Sequence, residues 1–343
     1  MPELSSQIFL GGTLTDFTSA SLKERGGNTA AQLDFVVPTP SPNFRRYWNK
    51  EVLAYFNSSD TYPAFRGHII NTTTNADNSV KFTALDALGY LTGHSKAEVV
   101  LDNDRNIDGL TVGASVVKLI EIANLKDSIG TDFIGDTTPL SANDRPRGTV
   151  VILNVIKNLL SRAIDVSNPD LPRDNIIKVL DDGRNSQLRI EVKSDIENVV
   201  PIKFYNYEDN IVNFNVKSRD IPTQITVTGK GGVAATFKHT SAEAALGIST
   251  KSISNPILEG RAECMDFAQK AFLANINNKY EYTLETFEGL YLKENDVIHI
   301  RDDKTGIEGN FRIIGKSVDF GPNRYKLKLT INNRPPILSQ FLA

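Results

Sequence analysis

Four histidines, His68, His94, His239 and His299, have the widest chemical reach in this sequence, and none has a second histidine at metal-ligand spacing. His68 and His299 fall inside strand patterns, which predicts surface roles. Gly93-His94-Ser95-Lys96-Ala97 matches a nucleophile elbow at three positions, but no buried parallel strand leads into it. Asp102, Asp104, Asn106 and Asp108 place oxygen-bearing side chains at alternate positions, as a calcium loop does. However, Ile107 stands where such a loop needs glycine, and Gly113 where it needs glutamate, so a solvated acidic turn capping the next helix is expected. Gly229-Lys230-Gly231-Gly232 has Gln224 in place of the first glycine of a phosphate loop. The pairs Asp181-Asp182 and Asp302-Asp303 sit in turns, where aspartate bonds its own backbone. The single cysteine, Cys264, excludes an internal disulfide and a thiolate cluster, and is expected as a packed core thiol. These residues predict no active site, no metal and no cofactor.

The elements that would position any site are mostly strands. From Asn255, a good N-cap followed by Pro256, a helix is predicted with Leu258, Ala262, Met265, Ala268, Phe272 and Ile276 on one face. The sheet it would cover follows at once. Tyr280 to Leu284 alternates, Val297 to Arg301 and Phe311 to Val318 flank the turn from Asp302 to Gly306, and Tyr325 to Ile331 alternates after Gly321-Pro322-Asn323.

This pattern occurs twice. Val52–Phe56, Phe65–Ile70 and Val80–Thr83 resemble Val297–Arg301, Phe311–Ile314 and Tyr325–Thr330, with strand starts 13 and 15 residues apart in the first copy and 14 and 14 in the second. Two β modules per chain carry a symmetry consequence: three chains around an axis would present six similar modules, so a trimer could match a six-fold ring.

Elsewhere, Gln7 to Leu14 and Gln32 to Val37 predict a long hairpin. Val112, Val116, Leu119, Ile120 and Ala123, then Ile152, Ile156, Leu159 and Ala163, have helical spacing, which predicts an α-rich insertion from Ser95 to about Arg173. Strand pattern resumes at Ile176 to Leu180 and Leu188 to Val192; Ile202 to Tyr207 and Ile211 to Val216 read as a hairpin, and Ile225 to Thr228 closes the run. Gly229 to Ser254 reads as a connector. The expected architecture is β-rich α+β, with two antiparallel β-barrel modules and an α-rich inserted lobe. The expected divisions are 1–93 for the first β module, 94–175 for the α-rich lobe, 176–254 for a β segment that completes the barrels plus a connector, and 255–343 for the helix, second module and tail.

Composition narrows the function classes. With 343 residues, 40% hydrophobic, the chain can bury two or three cores, and its formal net charge of −3 argues against a dedicated nucleic-acid grip. The first ten residues lack a signal-peptide pattern, and no stretch approaches a membrane span. Candidate partner contacts are the aromatic residues Phe44, Tyr47 and Trp48 on the loop that begins Pro38, and the apolar tail residues Leu338, Phe341 and Leu342. A loop folded back over the barrel end is an equal reading for the first group.

The carboxy-terminal stretch resembles baseplate hub proteins of contractile-tailed phages, the tail protein D type. The residues that carry the resemblance are Glu259-Gly260-Arg261-Ala262-Glu263, Leu292 to Asp303, Gly306 to Ile313 and Tyr325 to Ile331, with Phe65-Arg66-Gly67-His68-Ile69 and Thr83 to Leu88 near the other end. The resemblance covers both ends and leaves the α-rich middle poorly matched. It implies a non-enzymatic virion protein of the tail baseplate, assembled in the host cytoplasm. It also implies tube-protein-like barrels in a homotrimer of pseudo-six-fold symmetry that joins the hexameric tail tube to the trimeric central spike. Tape measure and baseplate wedge proteins are further implied partners, and DNA only in transit through the bore. A tail tube-like protein and a cell-wall-degrading enzyme on a β scaffold are the alternatives; the latter needs two carboxylates facing one cleft.

Overall fold

The computed structural model describes residues 5–25, 29–38, 47–92, 97–132, 134, 146–162, 174–181, 184–193, 202–205, 211–218, 222–256, 258–277, 280–293, 296–304 and 306–333. The chain is β-rich, with a large, mainly antiparallel sheet. It forms two compact units: unit 1 takes Met1–Val200, Thr286–Asp296 and Ile314–Leu329, and unit 2 takes Pro201–Glu285, Val297–Ile313 and Thr330–Ala343.

Unit 1 begins with β1 (Gln7–Leu10), β2 (Thr13–Thr15), β3 (Ser19–Arg25), β4 (Gln32–Val37), β5 (Glu51–Tyr55), β6 (Phe65–Thr74) and β7 (Val80–Leu85). Its lobe follows with β8 (Glu98–Leu101), α1 (Val112–Ile122), β9 (Gly148–Val151), α2 (Ile152–Arg162), β10 (Asp174–Asp181) and β11 (Ser186–Lys193). Unit 2 carries β12 (Ile202–Tyr205), β13 (Asn213–Ser218), β14 (Gln224–Thr228), β15 (Ala234–Lys238), α3 (Thr240–Leu246), β16 (Thr250–Ser254), α4 (Arg261–Asn277), β17 (Tyr280–Thr286) and β18 (Val297–Asp302). The long strands β19 (Ile307–Gly321) and β20 (Arg324–Asn333) contribute residues to both units.

In unit 1 the strands run in the order β2, β1, β5, β6, β7, β4, β3, β19. Period-two alternation sends Ile8, Leu10, Val52, Ala54, Phe65, Ile69, Phe82, Leu33, Phe35, Leu22 and Val318 to one buried face. The Ser6 N–H donates to Pro322 O at 3.2 Å, which draws the chain before β1 against the turn after β19 and curls the strip into a barrel. Gly11 and Gly12, at φ 58° and 82°, make the two-residue turn between β1 and β2, a conformation that side chains with a Cβ resist. A bulge between Ile69 and Asn71 shifts the register of β6 on β7 and lets the strip bend.

The repeated pattern appears as two consecutive three-stranded meanders. β5–β6–β7 lies in unit 1, and β18–β19–β20 forms the second. Both predicted helices of the insertion are present as α1 and α2. They share one apolar core with Leu88, Leu91, Val99, Leu101, Ile177 and Leu188, so the hairpin β10–β11 packs with the helices.

Four local expectations differ from the structure. β1 pairs with β2 and β5, and β4 pairs with β3 and β7, so the two stretches read as one long hairpin belong to separate ones. β12 and β13 do not pair with each other: β12 runs parallel to β18, and β13 antiparallel to β17, because tertiary partners outweigh the turn chemistry between them. The stretch read as a connector holds β15, α3 and β16. Finally, the helix starts at Arg261 and buries Cys264, Ala268 and Phe272, while Met265 is exposed. Its sheet is β15–β14–β16, met through Ile225, Val227 and Ala235; β14 was expected as a strand, and β15 and β16 lay in the supposed connector.

Candidate functional site

The aromatic loop divides. Tyr47 folds back, its ring 6.1 Å from Phe82 at 79°, over the barrel core, while Trp48 stays 60% exposed. The backbone around them is held by Asn49 N–H to Ile69 O at 2.9 Å and Lys50 N–H to Tyr47 O at 2.9 Å. Phe44, Leu338, Phe341 and Leu342 lie outside the described residues. Of the six candidate contacts, the structure therefore places two, and only Trp48 offers an open ring.

The groups that could do chemistry are engaged locally. His239 caps α3, accepting from the Ala242 N–H at 3.1 Å, and its ring stacks on Phe272 at 4.7 Å. His299 Nδ1 lies 2.8 Å from Asn310 Oδ1 across the β18–β19 pair. His68 packs edge-on against Tyr90, ring centroids 4.7 Å apart; His94 lies outside the described residues. Asp102 accepts the N–H groups of Asp104 and Arg105 at 2.9 and 2.8 Å, which holds its carboxyl below the usual carboxylate range. Asp108 pairs with Arg147 at 2.5 Å. These bonds build the acidic turn, but it does not cap the helix: Thr111 caps α1, its Oγ1 accepting from the Ala114 N–H at 3.3 Å. Among the described residues no group of three or more His, Cys, Asp or Glu side chains could hold a metal ion. Cys264 is fully buried beside Val233. Among the described residues no helix is long and apolar enough to cross a membrane.

Four buried ionic groups were not singled out from sequence, and all lie in unit 1. Arg66 on β6, its side chain 9% exposed, donates to Glu51 at 2.6 Å, to Arg184 O at 3.1 Å and to both oxygens of Asp181, tying the β10–β11 hairpin to the barrel. Lys316 on β19 donates to Leu292 O at 2.7 Å with Glu24 at 3.7 Å, and burial pushes its pKa down. Asp34 on β4 accepts from Thr83 at 2.8 Å and Gln32 at 3.0 Å and lies 3.3 Å from Lys81. Against the cost of burial, these bonds hold its carboxyl low. A lone charge inside an alternating strand is the signal available for such residues, and it does not reveal the partner.

Asp86 is the fourth. It caps the turn Ala87–Leu91, accepting from the Leu88 N–H at 3.0 Å, where the chain leaves β7 for the helical lobe. Burial pushes its carboxyl up to about 7. A carboxyl raised by folding favours the native state fully below its unfolded pKa; that advantage is lost as pH rises from about 4 through about 7. Asp86→Asn, which keeps the cap acceptor, is expected to remove this decline, worth at most about 4 kcal/mol. Denaturant midpoints of both proteins between pH 4 and 8 check it, and parallel curves would contradict it.

No family model matches the chain, and no curated protein matches its sequence. Solved structures do resemble it. The tail protein from Neisseria meningitidis MC58 aligns at TM-score 0.66 with 12% identity, covering 96% of each chain. The 43 kDa tail protein of prophage MuSo2 from Shewanella oneidensis aligns at TM-score 0.62 with 11% identity, covering 96% of this chain and 98% of the other. Prophage tail protein gp18 from Listeria monocytogenes EGD-e aligns at TM-score 0.51 with 13% identity, covering 98% and 97%. The chain has the fold of these tail proteins over nearly its whole length.

Proposed function

We propose that this chain is a structural, non-enzymatic component of a phage tail baseplate, and specifically its hub: a homotrimer of pseudo-six-fold symmetry joining the hexameric tail tube to the trimeric central spike. The observation that carries the reading is the pair of three-stranded meanders with matching order and spacing. A chain with two like modules turns three-fold symmetry into a six-fold face, which is what a connection between a six-fold tube and a three-fold spike requires. The fold shared end to end with phage tail proteins supports it, and so do the local engagements of the histidines and acidic residues. In this reading DNA passes through the bore, tape measure and wedge proteins are neighbours, and the protein belongs to the virion after assembly in the host cytoplasm.

Electron microscopy of the purified protein, alone and mixed with the tube protein of the same particle, tests the proposal. Three-fold rings with six lobes that cap tube ends are the expected result. Particles with no ring and no affinity for tube ends, or release of fragments from purified peptidoglycan, would refute it.

A further inference from the structure

Lys316 and Glu24 stand directly opposite each other where β19 pairs antiparallel with β3. Each lies two residues from an inward-facing neighbour, the buried Val318 and Leu22, so both fall on the inward face. The same row continues to Ala31 and Asp86. Lys23, Gln32 and Leu85 are paired across β3, β4 and β7, and one step further the Asp86 N–H donates to Ala31 O at 3.1 Å. An amine and two carboxyls thus share one inward row of unit 1.

As an ion pair this is poorly made. The side chains of Lys316 and Glu24 are 4% and 21% exposed, yet Nζ lies 3.7 Å from Glu24 Oε1, beyond hydrogen-bond length. Its hydrogen bond goes to Leu292 O at 2.7 Å, and the Phe56 ring centroid lies 5.8 Å away. A carbonyl and a carboxylate held at that distance compensate little of the desolvation, so burial favours the neutral amine. Lys293 adds to this effect, while Glu24 and Asp296 oppose it. A neutral amine is a nucleophile. Leu292 O takes one N–H, which leaves the lone pair free to face the carboxyl, and 3.7 Å is close to the separation of about 3–3.5 Å at which reacting atoms meet.

We propose that Lys316 and Glu24 condense into an intramolecular isopeptide bond, a modification that clasps β3 to β19. A proton first passes from the ammonium to the carboxylate within the pair. The Nζ lone pair then attacks Cδ of the resulting acid. The N–Cδ bond forms, the Cδ–OH bond breaks, and the hydroxyl leaves with a second amine proton as water. No oxidant, reductant or co-reactant enters. Burial, with a contribution from the Glu24 charge, raises the Asp86 carboxyl to about 7, so along this row it can lend a proton to the leaving oxygen and recover one from nitrogen. The product is a neutral amide, which removes both charges from the barrel interior. It also closes a loop over most of the chain, which restricts the unfolded state, and tension applied outside residues 24–316 would not reach the strands between. The clasp acts once and within the chain, and it does not depend on the hub reading.

Intact-mass spectrometry of the purified chain tests this. The expected mass is that of the sequence less one water. A tryptic digest should give one branched peptide that joins the segments holding Glu24 and Lys316, with no cleavage after Lys316. Lys316→Met and Glu24→Ala should each restore the full mass. Asp86→Asn, with proton transfer slowed by about 100-fold, should leave most of the fresh protein at full mass. The wild-type mass and its branched peptide decide the matter even where a variant fails to fold. A wild type that keeps its full mass after prolonged warming would overturn the proposal. So would a water deficit that persists in Lys316→Met, which would place a cyclised imide elsewhere in the chain. A branched peptide that forms equally fast in Asp86→Asn would overturn the part given to Asp86.

Discussion

Phe82→Ala is expected to lower the stability of unit 1 by about 3–5 kcal/mol, the range for emptying a large buried aromatic site. Phe82 is 1% exposed on β7, between β4 and β6, and its ring stacks on Phe35 at 5.2 Å with Tyr47 edge-on at 6.1 Å. Every neighbour sits on a strand paired on both sides or on a loop bonded to one, so the cavity has little means of collapsing. Against a typical total of about 5–15 kcal/mol, such a loss is a large share of stability. The fall in urea midpoint, with slope unchanged, is the measurement; a change below about 1 kcal/mol would mean that the barrel interior is not packed as described.

Arg66→Ala is expected to cost about 3–5 kcal/mol for a different reason. Removing one partner of a buried pair leaves the other charge stranded, and that penalty exceeds the net worth of the pair. Asp181, its side chain 12% exposed, is the stranded group, while Glu51 is 41% exposed and can turn to water. The loss should therefore be local: amide exchange in β10 and β11 should accelerate more than in β4 or β7. Arg66→Lys keeps the charge but not the fork that reaches Asp181, Glu51 and Arg184 O at once, so an intermediate loss is expected. Adding Asp181→Asn to Arg66→Ala should recover part of the stability. Equal loss in the single and double variants would contradict the stranded-charge account.

Much of this fold was legible because strands β5, β7, β17, β18 and β20 alternate, and a period of two has one physical meaning when one face is buried. Helices α1 and α2 were legible for the same reason at a period near 3.6. Pairing was less so. The sequence around residues 202–216 carries every local sign of a hairpin, yet β12 and β13 find partners in β18 and β17, more than sixty residues away. The face of α4 was legible in part: Ala268 and Phe272 of the expected stripe are buried against the small sheet, but Ala262 and Met265 are exposed and Cys264 takes the buried place instead.

The candidate contacts were legible only as residue types. Tyr47 and Trp48 are neighbours of similar character, and only the register of their loop against Ile69 sends one ring inward and leaves the other in solvent. The buried ionic groups were hidden in the same way. Arg66 reads as an ordinary polar position on a strand, and its meaning depends on a hairpin 115 residues on. The repeat, by contrast, needed no partner to be seen, because each copy carries its own spacing.

The mass of the purified protein in solution tests the central claim most directly. Light scattering across a concentration series is predicted to give the mass of three chains of 37.8 kDa each. A stable monomer, or an assembly whose copy number is not a multiple of three, would contradict the trimeric hub and remove the physical reason for two modules in one chain.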